Sequence, residues 1–209
     1  MLKLFYAPGA CSLASHIALE EAGASYETQR IDFKAVEQRS PDYLGVNPKG
    51  RVPALVTDKG VLTETPAILV YLAQTFPNAN LAGPDDSFGF ANLQAFNVWL
   101  ATHVHIAFAH AFRPGRYADG EACAAAMRSK TSETLDDAFA AIEQRLTENG
   151  PFVHGERYTV SDPYLFVFER WFFINDLGHP GRCPQVRAHY DRVAARPAVQ
   201  RVLKAEGIG

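Results

Sequence analysis

The 209 residues are enough for one large domain or two small ones. Apolar residues make up 47% and charged residues 21%, so a chain of this size can bury a core without disulfide or metal staples. A net charge of -3, with lysines and arginines scattered, speaks against a nucleic-acid or membrane-surface binder.

The first residues carry no apolar leader with a small-residue cleavage site, and no apolar run is long enough for a bilayer. The cytoplasm is therefore the expected location. Cys11, Cys123 and Cys183 are odd in number, far apart and without a Cys-x-x-Cys pair, which argues against a disulfide framework or a zinc site.

Residues 2–6 suit a short buried strand, and Ala7-Pro8-Gly9-Ala10 a loop. A helix is predicted over 11–22, with Leu13, Ile17, Ala18 and Leu19 on one face and Gly23 as its stop. Residues 26–32 read as a strand. Residues 52–57 and 61–64 flank Asp58-Lys59-Gly60 as a hairpin with a three-residue loop. A helix over 65–76 follows, with Thr65 as N-cap and Pro66 at the first helical position. Residues 81–86, rich in Gly, Pro and Asp, read as a linker between a domain over 1–80 and a helical domain over 87–209. Helices are expected there at about 88–112, 121–149, 161–178, 184–195 and 198–206.

A cysteine at the start of a helix meets unpaired N–H groups and the positive end of the helix dipole, which lower a thiol's pKa. Cys11 fits that device, and equally fits a small residue in a turn. Val52-Pro53 stands at the mouth of a strand, at its edge or its beginning. A cis peptide there would leave the Val52 N–H and C=O free to pair with an extended peptide; an ordinary loop proline is the plainer reading. Thr63-Glu64-Thr65-Pro66 could offer helix amides and a hydroxyl to a carboxylate and Glu64 to an ammonium, or could be a simple cap. His103 and His105 point ~200° apart on a helix, so a shared metal is not expected. Thr159-Val160-Ser161-Asp162 is a folding signal at a helix start.

Tyr6-Ala7-Pro8-Gly9-Ala10-Cys11-Ser12-Leu13, Asn47 to Pro53, Thr63-Glu64-Thr65, Val104-His105 and Thr159 to Asp162, in this order and spacing, resemble the glutathione transferase family over nearly the whole chain. The bacterial beta class is the nearest in pattern. The resemblance implies an α/β thioredoxin-like N-terminal domain, an all-α C-terminal domain and a homodimeric enzyme with glutathione as co-substrate and no other cofactor. It implies that the cysteinyl backbone of glutathione pairs with Val52 beside Pro53 and that its γ-glutamyl end lies at Glu64 and Thr65. The sulfur would face Cys11, with Ser12 nearby and His105 reaching in from the helical domain. Tyr6, Arg51 and Val104 complete the expected glutathione contacts. Cys11, Ser12 and His105 are the expected catalytic residues, and Phe108, Phe112 and Trp171 the expected apolar pocket.

The sequence departs from the family pattern at four places. Thr65 stands where Ser or Gly is usual, and only Lys34 remains of a lysine-rich stretch that contacts the glycyl carboxylate in some members. His103 replaces an acidic residue, and Val98 an asparagine that can reach a partner's glutathione. The implied activity is attack of glutathione thiolate on hydrophobic electrophiles, a detoxification chemistry. Two rivals are thiol-disulfide reduction through a Cys11 mixed disulfide, and a non-catalytic dimer that binds glutathione and apolar ligands.

Overall fold

The computed structural model describes residues 1–83, 86–175 and 177–209. Pro84 and Asp85 of the expected linker, and Asp176 of the helix expected over 161–178, lie outside the described residues. The strands β1 (Leu2–Tyr6), β2 (Tyr26–Arg30), β3 (Ala54–Thr57) and β4 (Gly60–Thr63) form one sheet in the order β2-β1-β3-β4. β2 runs parallel to β1, whereas β1–β3 and β3–β4 are antiparallel. Side chains alternate across this sheet. Leu4, Tyr6 and Leu55 join the main core with α1 (Ser12–Glu21) and α3 (Thr65–Thr75), through Leu13, Ile17, Ile68 and Leu69. Phe5 and Ala54 face the other way and meet Tyr43 of α2 (Pro41–Val46).

Four boundaries differ from expectation. The hairpin turns in two residues rather than three: Thr57 pairs with Gly60, which opens β4 at a φ of 132° that glycine adopts without a Cβ clash. β3 lies between β1 and β4, so Pro53 marks a strand's beginning and not a sheet edge. α2 and a 3-10 turn at Glu37–Arg39 occupy a connection in which the sequence showed no element. Glu64, not Thr65, is the N-cap of α3, and Thr65 is its first residue.

The back half carries α4 (Ser87–Trp99), α5 (His105–Phe112), α6 (Glu121–Asn149), α7 (Ser161–Asn175), α8 (Pro184–Ala194) and α9 (Pro197–Glu206). The single helix expected over 88–112 is divided by a π-helical segment at Leu100–Val104. Such wide turns shift the register of the following turns and recur at functional sites. α1 packs on α7 and α9, so one apolar core continues from Leu13 and Ile17 to Phe108, Leu165 and Phe172. Among the described residues no helix is long and apolar enough to cross a membrane.

Asp162 anchors the start of α7. Its carboxylate accepts the Thr159 N–H at 2.6 Å, the Thr159 hydroxyl at 3.1 Å and the Val153 N–H at 2.8 Å. It also meets His189 Nε2 at 3.1 Å, while His189 Nδ1 meets Glu169 at 2.8 Å. All three side chains are fully buried. Burial alone would lower the His189 pKa, but the two carboxylates outweigh it and hold the ring up to about 10. A histidine raised in this way stabilises the fold fully below its ordinary pKa of ~6.5, and that stabilisation is lost as pH rises toward the raised value. Unfolding free energy should therefore fall between about pH 7 and about pH 10. Asp162→Asn should flatten that slope and cost about 3–5 kcal/mol at neutral pH, both read from urea midpoints.

Candidate active site

The loop between β1 and α1 is wound by its own backbone: Ala10 N–H bonds to Ala7 C=O at 3.0 Å, and Leu13 N–H to Ala10 C=O at 2.9 Å. The Ser12 hydroxyl clasps it, accepting the Ala7 N–H at 3.2 Å and donating back to Ala7 C=O at 3.3 Å. The helical half grips the loop at Gly9. Its N–H donates to Glu206 at 2.8 Å and its C=O accepts Trp171 Nε1–H at 2.8 Å. Glu206 is itself held by His16 Nδ1 at 2.8 Å. Cys11 then caps α1, and the amides of Cys11 and Ser12 have no partner among the described residues. These free N–H groups are the first-turn donors that every helix leaves unpaired.

Across from this loop stands the turn Asn47-Pro48-Lys49-Gly50. Asn47 is buried; it accepts the Lys49 N–H at 3.1 Å through its side chain and the Gly50 N–H at 2.9 Å through its carbonyl. Gly50 has a φ of 60°, and a Cβ there would come within 2.8 Å of the Gln38 carbonyl, so the close approach requires glycine. The Arg51 carbonyl is pinned by Tyr43 Oη–H and Asn47 Nδ2–H, each at 2.6 Å. The next peptide is therefore fixed. The Val52–Pro53 bond is cis. The Val52 N–H has no partner among the described residues, and the Val52 C=O accepts the Cys11 S–H at 3.3 Å. The expectation that both groups are free thus holds for the amide only, and the Val52 side chain is buried against Phe5, Ile31 and Tyr43.

The third wall is the start of α3. Glu64 takes a φ of 70°, a region that non-glycine residues occupy at a cost of order 1–3 kcal/mol and mostly at functional sites. Its carboxylate pairs with Lys49 at 2.6 Å, and Lys49 also bonds the Thr63 hydroxyl at 3.0 Å. Thr65 is buried beside Cys11, and its amide has no partner among the described residues.

These walls and α5 enclose a cleft of about 770 Å³. Of the residues expected from sequence, Cys11, Arg51, Val52, Pro53, Glu64, Thr65, His105, Phe112 and Trp171 line it. Four others do not. The Ser12 hydroxyl is fully buried on Ala7, so it fastens the loop instead of facing a ligand. Tyr6 points into the core beneath α1, its ring 5.3 Å from that of His16. Val104 and Phe108 are wholly buried in the core behind the cleft. The π-helical segment brings Ala101 and His105 to the cleft and turns Val104 inward. The sequence reading missed Lys49, Asn47, Arg113, Arg116 and Tyr164 as lining residues, and the anchoring role of the Trp171 indole. Lys49 and Asn47 stood inside a quoted motif; the arginines follow α5 with no pattern of their own.

Burial decides the ionisation of the two central groups. The Cys11 thiol is pushed up to about 11 by burial, against smaller lowering by the Thr65 hydroxyl and Arg113. The lowered pKa expected at the helix terminus is therefore reversed: near neutral pH Cys11 is a neutral S–H donor. His105 is lowered to about 4 by burial first, then by Arg51, Arg116 and Arg113. Its ring sits 5.4 Å from Trp171 and 5.6 Å from Phe168.

Sheet, cleft and helical half together define a thioredoxin-like layer closed by an all-α layer, with the site along their seam. The model of the glutathione S-transferase N-terminal domain matches residues 1–74, and that of the glutathione S-transferase C-terminal domain residues 125–192. Glutathione S-transferase GstA of Escherichia coli O157:H7 is 37% identical over 210 residues, covering 99% of this chain and 100% of that protein. A glutathione transferase homologue from Sulfitobacter, solved with bound glutathione, superposes with a TM-score of 0.93 at 37% identity, over 100% of this chain and 99% of that one. A bacterial beta class glutathione S-transferase from Sphingomonas chungbukensis gives a TM-score of 0.85 at 35% identity, over 99% and 100%. The chain belongs to the glutathione S-transferase family and is a transferase enzyme.

Two outcomes follow from the ionisation of the cleft. In NMR titration the His105 ring should stay neutral through pH 6 and titrate only near pH 4. Iodoacetamide near neutral pH should label the exposed Cys123 and spare Cys11, which mass spectrometry of the digested protein would read.

Proposed function

We propose that the protein conjugates glutathione to hydrophobic electrophiles, as a beta-class homodimer in the cytoplasm that consumes reactive compounds. The observation that carries this is the unpartnered Val52 amide, set in the same cleft as Cys11 and the free first-turn amides of α1. An extended tripeptide can pair its cysteinyl backbone with Val52, as an added strand does. Its γ-glutamyl carboxylate then meets the Thr65 amide at the start of α3, and its ammonium meets Glu64. Lys49, now paired with Glu64, is placed to follow that carboxylate.

The chemistry needs glutathione as thiolate. The Cys11 and Ser12 amides and the Cys11 S–H are donors at the tip of α1, and hydrogen bonds to an anion contribute about 1.5–3 kcal/mol each. The thiolate lone pair forms a C–S bond to the electrophilic carbon, and the leaving group departs with the electron pair of the bond that breaks. A neutral His105 closes the wall without introducing a charge to bind the thiolate non-productively. A Cys11 held as S–H suits donation better than nucleophilic attack, and this weighs for conjugation over disulfide reduction through Cys11. Phe88, 80% exposed, and Val98, 50% exposed, leave α4 an apolar surface for a second copy.

Cys11→Ala should lower kcat/KM for conjugation by about tenfold to a hundredfold, the worth of one hydrogen bond to an anion. Any glutathione-dependent disulfide reduction should disappear. Loss of both activities together would overturn the assignment of Cys11 as donor. A glutathione analogue with an alkene in place of the cysteinyl–glycyl amide should bind at least about tenfold more weakly, because it has no cysteinyl carbonyl to accept the Val52 N–H; unchanged binding would remove the Val52 pairing.

A further inference from the structure

Three guanidinium groups, those of Arg51, Arg113 and Arg116, border the cleft. Arg113 and Arg116 follow α5 directly, on a wall of the cleft that also carries Ile106, Phe112, Tyr117, Trp171 and Asn175. Among the described residues neither has a carboxylate within ion-pair distance. Arg113 stands over the Phe33 ring, 4.9 Å from its centre, which directs its guanidinium across the cleft toward the front half. Both arginines contribute to the lowering of His105, and Arg113 acts on Cys11 as well, so their field reaches the place where the sulfur reacts. Two unneutralised cations beside aromatic walls form a surface for a molecule that is apolar along its body and negative at one end.

Glutathione supplies two carboxylates of its own. The γ-glutamyl one belongs with the start of α3, and Lys49 and Arg51 stand on the strand side next to Val52, where the tripeptide backbone would run. Arg113 and Arg116 enter the cleft from the helical half instead, directly after α5 and beside its Ile106 and Phe112. We propose that Arg113 and Arg116 select electrophiles carrying a carboxylate on an apolar body. This deepens, and rests on, the conjugation reading above.

Two matched electrophiles test it: 1-chloro-2,6-dinitrobenzene, which is uncharged, and 4-chloro-3,5-dinitrobenzoate, which adds a carboxylate to it. Both arginines are exposed, so R113A/R116A is expected to fold. The double variant should lose at least about tenfold more in kcat/KM for the benzoate than for the neutral compound. The two glutathione conjugates, titrated by calorimetry, give the same comparison without turnover. Both contain the glycyl carboxylate, so only the added carboxylate differs. The wild type should prefer the carboxylated conjugate and the double variant should lose that preference. Equal loss for both conjugates, with a raised KM for glutathione whichever electrophile is used, would mean that the arginines hold the glycyl carboxylate, and the proposal falls. Equal loss in kcat alone would mean that they serve the thiolate, with the same consequence. Preference in binding without turnover of either electrophile would keep the carboxylate site and overturn conjugation.

Discussion

Gly9 is held from two directions, by Glu206 at its N–H and by the Trp171 indole at its C=O. Both partners come from the helical half, and both bonds are 2.8 Å long. The loop they hold ends in Cys11 and the free amides of α1, so the position of the reactive donors is set by residues 162 and 197 positions away. His16, on α1 itself, completes the arrangement by holding Glu206, which ties α1 to α9 through one carboxylate. A short loop has little enthalpy of its own with which to resist thermal motion. The two long-range bonds supply what the loop lacks, and the Ser12 clasp removes its remaining freedom.

The electrostatics of the cleft follow from a contest of magnitudes. A helix N-terminus offers a charge about 0.3–1 kcal/mol at an exposed site. Taking a thiolate out of water costs more, so Cys11 stays protonated although it sits where a dipole argument alone would ionise it. The same burial keeps His105 neutral. What remains charged lies at the rim: Lys49 with Glu64, then Arg51, Arg113 and Arg116. The result is a neutral hydrogen-bonding centre inside a positive border, which suits an anionic sulfur better than a charged catalytic base would.

Much of this was legible in the sequence because it is carried by local rules. Leu2–Tyr6, the helix after Cys11 and the hairpin around Asp58-Lys59 each announce themselves by period and turn chemistry. Asn47 to Pro53 could be recognised as a motif before its geometry was known. What escaped depended on non-local facts. Ser12 looks like a catalytic hydroxyl until its burial on Ala7 is seen. Tyr6 and Phe108 have chemistry suited to a site, but strand alternation and helix rotation turn them into the core. Arg113 and Arg116 sit in a stretch with no periodicity, and only the tertiary fold brings them to the cleft. The π-helical turn at Leu100–Val104 is invisible to a 3.6-residue period, yet it leads directly into His105, which lines the cleft.

The bond from Gly9 to Glu206 also orders events in time. Translation makes Gly9 197 positions before Glu206. Strands and helices of the front half can pair while synthesis proceeds, but their reactive loop lacks its outer tether until α9 has emerged and docked. A newborn chain therefore carries its sheet well before it carries the outer tether of the loop, and α9 acts as the latch that sets the thiol-binding loop.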